Sequence, residues 1–187
     1  MKNLLLAVLL TCFSLQVVAC TGVQTGTASG SDDASTHFRQ AFKLGNNGDL
    51  DGAIAEYRTG LRLNPNDEDA HYNLGLALKN KGNLKEAIAE FRAALFLKPN
   101  DLDAHFILGD ALKASGDLDG AIAEYRTPLR LDPNYWAAHS NLGDAFQALG
   151  RKADAKEEFT EVLRLLPDTP ANQNTIEQVR QRIRELE

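Results

Sequence analysis

Cysteine is nearly absent from this chain of 187 residues: there are two, Cys12 and Cys20, both within the first twenty positions. A disulfide framework is therefore excluded, and packing has to hold the chain together. Cationic side chains are also scarce, 20 lysines and arginines against 26 aspartates and glutamates, for a formal net charge of -6. A phosphate backbone would be repelled unless those cations gathered on one face, so nucleic acid is set aside as a partner. There is no glycine-rich phosphate loop, no serine in a nucleophile-elbow motif and no cysteine beyond position 20, so the sequence reads as a non-enzyme without a cofactor. What is present in ordinary measure is 43% hydrophobic and 25% charged residues, enough for a packed domain and incompatible with disorder throughout.

Residues 1–19, MKNLLLAVLLTCFSLQVVA, set one lysine ahead of an apolar run that contains Thr11, Ser14 and Gln16 and ends in small residues, the layout of a secretory signal. A spanning helix needs about 20 predominantly apolar residues, and this run is shorter with no cationic stop behind it, which disfavours an uncleaved anchor. Val17-Val18-Ala19-Cys20 resembles the lipobox of bacterial lipoproteins, in which the cysteine is lipidated and becomes the mature N-terminus. The same residues suit ordinary signal cleavage, giving a soluble secreted or periplasmic protein with a bare thiol. An exported thiol is prone to oxidation, which favours lipidation of Cys20. That resemblance implies a lipid anchor in the cell envelope, with more than one acyl chain, since a single chain binds a membrane only marginally. Thr21 stands where an aspartate commonly signals inner-membrane retention in that family, so the expectation leans to the outer membrane, periplasmic face. Residues 20–33 then form a tether, rich in glycine, serine and threonine and without hydrophobic period.

From Ala34 a 34-residue interval fits everything. DLDGAIAEYRTGLRLNPN from Asp49 recurs as DLDGAIAEYRTPLRLDPN from Asp117, two intervals later. The same step aligns Pro65, Pro99, Pro133 and Pro167, then Gly48, Gly82, Gly116 and Gly150, then Ala53, Ala87, Ala121 and Ala155. Tyr57, Phe91, Tyr125 and Phe159 keep phase, as do Leu61, Leu95, Leu129 and Leu163 and the pairs Leu74-Gly75, Leu108-Gly109 and Leu142-Gly143. This pattern resembles the tetratricopeptide repeat (TPR), with units at 34–67, 68–101, 102–135 and 136–169. The resemblance implies an all-α, right-handed α-solenoid of helix-turn-helix units. The first unit departs with Gln40-Ala41 in place of Leu-Gly, and its first helix is expected to pack less tightly.

Within the second unit, apolar periodicity predicts helices from about Glu68 to Lys81 and from about Leu84 to Leu97, with Gly82 closing the first and Pro99 following the second. Gly75 and Ala87 are small enough for close approach, and Phe91 fills the wedge beside them. One such hairpin cannot bury both apolar faces, so neighbours must stack and the ends need caps. Residues 170–187 supply a C-terminal capping helix: Ile176, Val179, Ile183 and Leu186 form one stripe, Thr175 and Gln178 suit a capping box, and Arg180, Arg182 and Arg184 lie on a solvated face. Pro128 falls inside a helix and is expected to kink or open it, and Gly60 holds the same place two units earlier.

All four histidines, His37, His71, His105 and His139, share one place in their units. Asp69 and Asp103 sit two residues before two of them but do not face them on a helix, and successive first helices pack about 10 Å apart, so no three ligands meet. Histidine as a packing residue with one ring nitrogen hydrogen-bonded is the better account than metal. Glu56, Glu90 and Glu124 recur with the unit and read as surface.

The TPR resemblance implies a concave groove lined by the first helix of each unit, holding a peptide or a partner helix. The matching positions are Phe38, Arg39 and Phe42 in unit one and Asp69, Tyr72, Asn73, Leu76 and Lys79 in unit two. Unit three offers Asp103, Phe106, Ile107, Asp110 and Lys113, and unit four Ala137, Ser140, Asn141, Asp144 and Gln147. Exposed aromatics are docking signals, Tyr72 and Phe106 above all, while Phe38 and Phe42 either bind or pack. Asn73 and Asn141 match asparagines that clamp a peptide backbone. Asp103 and Ile107 replace the cations with which chaperone-binding members hold a carboxylate, and the acidic rim suits a ligand with some positive charge. The function implied is a membrane-anchored, non-catalytic scaffold that binds another protein, as similar lipoproteins do in pilus assembly, secretion and outer-membrane biogenesis. The alternatives are a self-associating structural protein and a metal or small-ligand binder using the histidine ladder.

Overall fold

Apolar residues at three- and four-residue steps wind the chain into helices, and a glycine or proline at a fixed place follows each helix of the four repeat units. The computed structural model describes residues 33–187. The signal segment, Cys20 and the tether up to residue 32 lie outside the described residues. Among those described there are nine helices and no strand: α1 Ala34–Asn46, α2 Leu50–Leu63, α3 Glu68–Asn80, α4 Leu84–Leu97, α5 Leu102–Ser115, α6 Leu118–Leu131, α7 Trp136–Ala148, α8 Lys152–Leu165 and α9 Gln173–Glu185. Pairs α1–α2, α3–α4, α5–α6 and α7–α8 form four hairpins, each packed on the next, and α9 closes the end against α8. This is the expected solenoid.

The turn inside each hairpin depends on one glycine. Gly48, Gly82, Gly116 and Gly150 have φ of +84°, +86°, +91° and +72°, the left-handed region where a side chain is strained. That conformation returns the following N–H to the helix just ended, as in Asn83 N–H to the Leu78 carbonyl at 2.9 Å. The first helix of units one to three begins at an aspartate cap: Asp33, Asp67 and Asp101 accept from the N–H groups of Thr36, Ala70 and Ala104 at 2.8, 2.9 and 2.9 Å. Unit four has Tyr135 in that place, with no side-chain cap.

Helices in a hairpin touch through the small residues the pattern singled out. A β-carbon built on Gly75 would stand 2.6 Å from Phe91 Cε1, and one on Gly143 would stand 2.6 Å from Phe159 Cε1. Phe91, Tyr125 and Phe159 are wholly buried, while Tyr57 of the atypical first unit keeps 5% exposure.

Three expectations are corrected. α6 continues through Pro128 to Leu131 rather than opening there: the proline ring is buried in the core, and the missing N–H falls in the last turn, after which Asp132 N–H donates to the Pro128 carbonyl at 2.7 Å. No capping box forms at Thr175, because α9 is already helical from Gln173. Asn172, just before it, turns its amide back to the Pro167 carbonyl at 3.0 Å. Arg182 does not belong to a solvated face: it crosses from α9 to Asp144 of α7 at 2.6 Å and lies over the Phe159 ring. Ile176, Val179 and Leu186 are buried as a cap requires.

Candidate functional site

The first helices of the units present three different surfaces. At the N-terminal end, Phe42 and Asn46 of α1 meet Asn73, Leu76 and Asn80 of α3 across a floor of Leu50, Ala53 and Tyr57 from α2, enclosing a cleft of about 220 Å³. Phe42 is 57% exposed beside it, a large apolar surface left in water. Phe38, one turn earlier, does not share that exposure. Its ring lies where a β-carbon on Gly60 would come within 2.3 Å, and it stands 6.4 Å from Tyr57, so it packs between α1 and α2. Arg39 is exposed and donates back to Thr36 at 3.2 Å.

Beyond the cleft lies an acidic cavity of about 170 Å³, lined by Glu68, Asp69, Tyr72, Lys98, Asp101 and Asp103. Lys98 bonds Asp101 at 2.5 Å and approaches Glu68 at 3.8 Å. Burial pushes the Glu68 carboxyl up, Lys98 pulls it down, and the charges of Asp69, Asp101 and Asp67 push it up again, leaving it above the ordinary value. Tyr72 forms part of the wall, its ring 5.9 Å from Phe91. Burial raises the Tyr72 phenol, and the carboxylates of Asp103 and Asp101 raise it further. Phe106 sits 5.9 Å from Tyr125 and 5.3 Å from Tyr135. Tyr72 and Phe106 are thus half-buried and supported by aromatic neighbours, whereas among the described residues Phe42, Phe96 and Trp136 are the exposed aromatics.

The C-terminal half of the groove is already occupied with itself. Asp110 Oδ1 accepts from the Tyr125 hydroxyl and from the Asn141 amide, both at 2.7 Å. Lys113 donates to Asn141 at 3.3 Å and stands 3.7 Å from Asp144, which Arg182 holds from the other side. Asn141, one of the two expected backbone clamps, therefore has both ends of its amide engaged. Asn73 has its amide nitrogen on the Asp69 carbonyl at 2.8 Å, within its own helix. Leu76, Lys79 and Ile107 are half-buried, as are Ala137, Ser140 and Gln147 of unit four.

The histidines differ from expectation in detail. His71, His105 and His139 use both ring nitrogens, one on a glutamate of the following helix and one on a proline carbonyl before their own. Glu56, Glu90 and Glu124 are consequently not plain surface, since each accepts from a histidine 19 residues earlier. Their repetition was the signal, because a residue that recurs with the fold answers to the fold. Among the described residues no three histidine, cysteine, aspartate or glutamate side chains gather to hold a metal.

Tyr135, Glu68, Lys98 and Asp101 also escaped the sequence reading. Tyr135 breaks the row of aspartate caps, a departure visible in the alignment of units. The other three lie at unit boundaries, where the end of one hairpin meets the start of the next only after stacking.

Stacked helical hairpins with an open, unevenly furnished groove define an interaction scaffold. Models of the TPR repeat match residues 44–82 and 109–150, and of the tetratricopeptide repeat 68–101 and 136–169, together well over half of the chain; the protein belongs to the tetratricopeptide repeat family. Similar solved structures include MamA at 22% identity, with TM-score 0.70 over 82% of this chain and 85% of that one. PilF of Pseudomonas aeruginosa is 22% identical, with TM-score 0.65 over 81% of this chain and 69% of that one. The first TPR of Spaghetti (RPAP3), bound to the HSP90 peptide SRMEEVD, is 26% identical, with TM-score 0.60 over 67% and 99%. No curated protein matches the chain.

Proposed function

We propose that this protein is a non-catalytic adaptor, lipid-anchored through Cys20 at the periplasmic face of the outer membrane, that holds a segment of another envelope protein in the N-terminal half of its groove. The observation that carries the reading is the contrast along that groove. Phe42 stands 57% exposed over an open cleft at one end, while Asp110, Asn141, Lys113 and Asp144 satisfy one another at the other. An apolar side chain covering Phe42 is favoured by burial of its area, whereas the paired end offers a ligand few unmet hydrogen bonds. The Spaghetti TPR domain is bound to an HSP90 peptide, SRMEEVD, that carries carboxylates. Here four carboxylates and one lysine line the next cavity, so the ligand is an amphipathic segment with an apolar anchor and a basic residue.

The test is cross-linked recovery of partners from the native envelope by wild type, Phe42→Ala/Leu76→Ala and Asp144→Asn. The reading requires the double variant to lose the partner with helicity intact, and Asp144→Asn to retain it. Equal recovery by all three refutes groove binding. Fractionation of Cys20→Ala tests the anchor separately: release from the membrane is expected, and continued retention refutes the lipid.

A further inference from the structure

His71, His105 and His139 each have both ring nitrogens set against atoms that accept. Nδ1 of His71, His105 and His139 stands 2.7, 2.7 and 2.6 Å from Oε2 of Glu90, Glu124 and Glu158. Nε2 of the same rings stands 3.0, 3.0 and 3.1 Å from the carbonyl oxygens of Pro65, Pro99 and Pro133. A neutral imidazole has one N–H and satisfies one of its two partners; an imidazolium has two and satisfies both. The carbonyl carries no proton. A glutamic acid, ordinarily titrating near pH ~4.3, yields its proton to an imidazole that ordinarily titrates near ~6.5.

We propose that His139 is held as an imidazolium cation in the folded protein at neutral pH, a charged pin that fastens the α6–α7 connection to both helices of the fourth repeat. For His71 the ring belongs to α3, the carboxylate to α4 and the carbonyl to the α2–α3 connection. His105 joins α5, α6 and the α4–α5 connection in the same way, and His139 joins α7, α8 and the α6–α7 connection. His37 shows the carboxylate contact as well, 2.6 Å from Glu56.

These contacts are shielded. The three histidine side chains keep 13 to 17% of their exposure and their glutamates 20 to 27%, so solvent screens these pairs less than the pairs on the outer face. His139 faces Glu158 and Glu161 of α8 and the Pro133 carbonyl of the α6–α7 connection, and Glu161 is itself bonded to Arg164. Burial opposes a charge on His139, but the bonds to Glu158 and Pro133 and the field of both glutamates hold its proton affinity above the ordinary imidazole value. Ala93 and Thr127 take the place of Glu161 in units two and three.

In a solenoid each unit is stabilised by itself and its neighbours alone, so a pin at the α6–α7 connection acts on the junction of units three and four. The sign follows from linkage. A histidine that binds its proton more tightly when folded contributes fully below about pH 6.5, and that contribution is lost as pH rises through the folded midpoint. That junction tightens in mild acid and loosens toward alkaline pH.

The test is a titration of the folded chain with 15N-labelled histidine, followed by NMR. Protons on both nitrogens of His139 at neutral pH, with a midpoint above that of free histidine, are the expected result. A singly protonated His139 ring at neutral pH overturns the proposal. Glu158→Gln keeps an acceptor of the same size without the charge; it should lower the His139 midpoint, and an unmoved midpoint overturns the ion pair. Thermal unfolding gives a second readout: the wild-type melting temperature falls from mild acid to mild alkali, and the Glu158→Gln profile is flatter. A wild-type profile flat across that range overturns the pin.

Discussion

Gly109 of α5 and Tyr125 of α6 are packed so closely that a β-carbon on the glycine would stand 2.5 Å from the ring. The ring cannot retreat, because it is wholly buried and its hydroxyl is bonded to Asp110 at 2.7 Å. Gly45 of α1 lies in a looser place, where the same β-carbon would meet Ala53 at an ordinary 3.7 Å.

Gly109→Ala is therefore expected to destabilise the fold despite alanine's advantage of about 1 kcal/mol in a helix, since overpacking a core costs about 1–3 kcal/mol. Gly45→Ala, with that advantage and no clash, is expected to stabilise by about 0.5–1 kcal/mol. Urea unfolding of the two variants beside wild type measures both. Shifts of the same sign would contradict the packing described.

Tyr125 sets an alkaline limit. Burial pushes its phenol far above the ordinary value, and the bond to the Asp110 carboxylate adds to that. The unfolded chain ionises this tyrosine near pH ~10 and the folded chain does not, so stability is intact below that pH and falls above it. Tyr125→Phe should cost about 1 kcal/mol at neutral pH through the lost hydrogen bond, and its stability should decline less between about pH 10 and 11. Parallel alkaline unfolding curves would show that Tyr125 is not the cause.

Arg182 ties the cap to the groove. Its pair with Asp144 is partly exposed, 38% against 28%, which limits it to about 1 kcal/mol, and its place over Phe159 adds a smaller attraction. Arg182→Ala should speed amide exchange in α9 and the end of α8, with no change in α1 to α4. Salt should reduce the difference between variant and wild type. Uniform acceleration along the chain would mean that the cap governs the whole stack.

Much of this architecture was legible because the 34-residue interval repeats the same packing problem four times. Gly82 marked a left-handed turn, Phe91 a buried wedge, and Leu84–Leu97 a helix whose bounds the structure reproduces. Local sequence is least informative where a residue's environment comes from a different unit. Arg182 looks solvated on its own helix and becomes a partner of Asp144 only when α9 folds over α8. Tyr72 and Phe106 looked like free aromatics because nothing local shows Phe91 or Tyr135 beside them.

The sequence by itself determined the repeat, the hairpins and the family, since glycine, proline and apolar spacing act over a few residues and their effect is the same in every unit. Tertiary structure alone decided which polar groups are free. Asn141, Asp110 and Lys113 carry the same side chains in any fold, but stacking places them within hydrogen-bond reach of one another, while the same stacking leaves Phe42 uncovered. The histidines show both levels at once: their recurrence was plain in the sequence, and the second hydrogen bond of His71, His105 and His139 exists only because a proline carbonyl from the preceding connection arrives beside the ring.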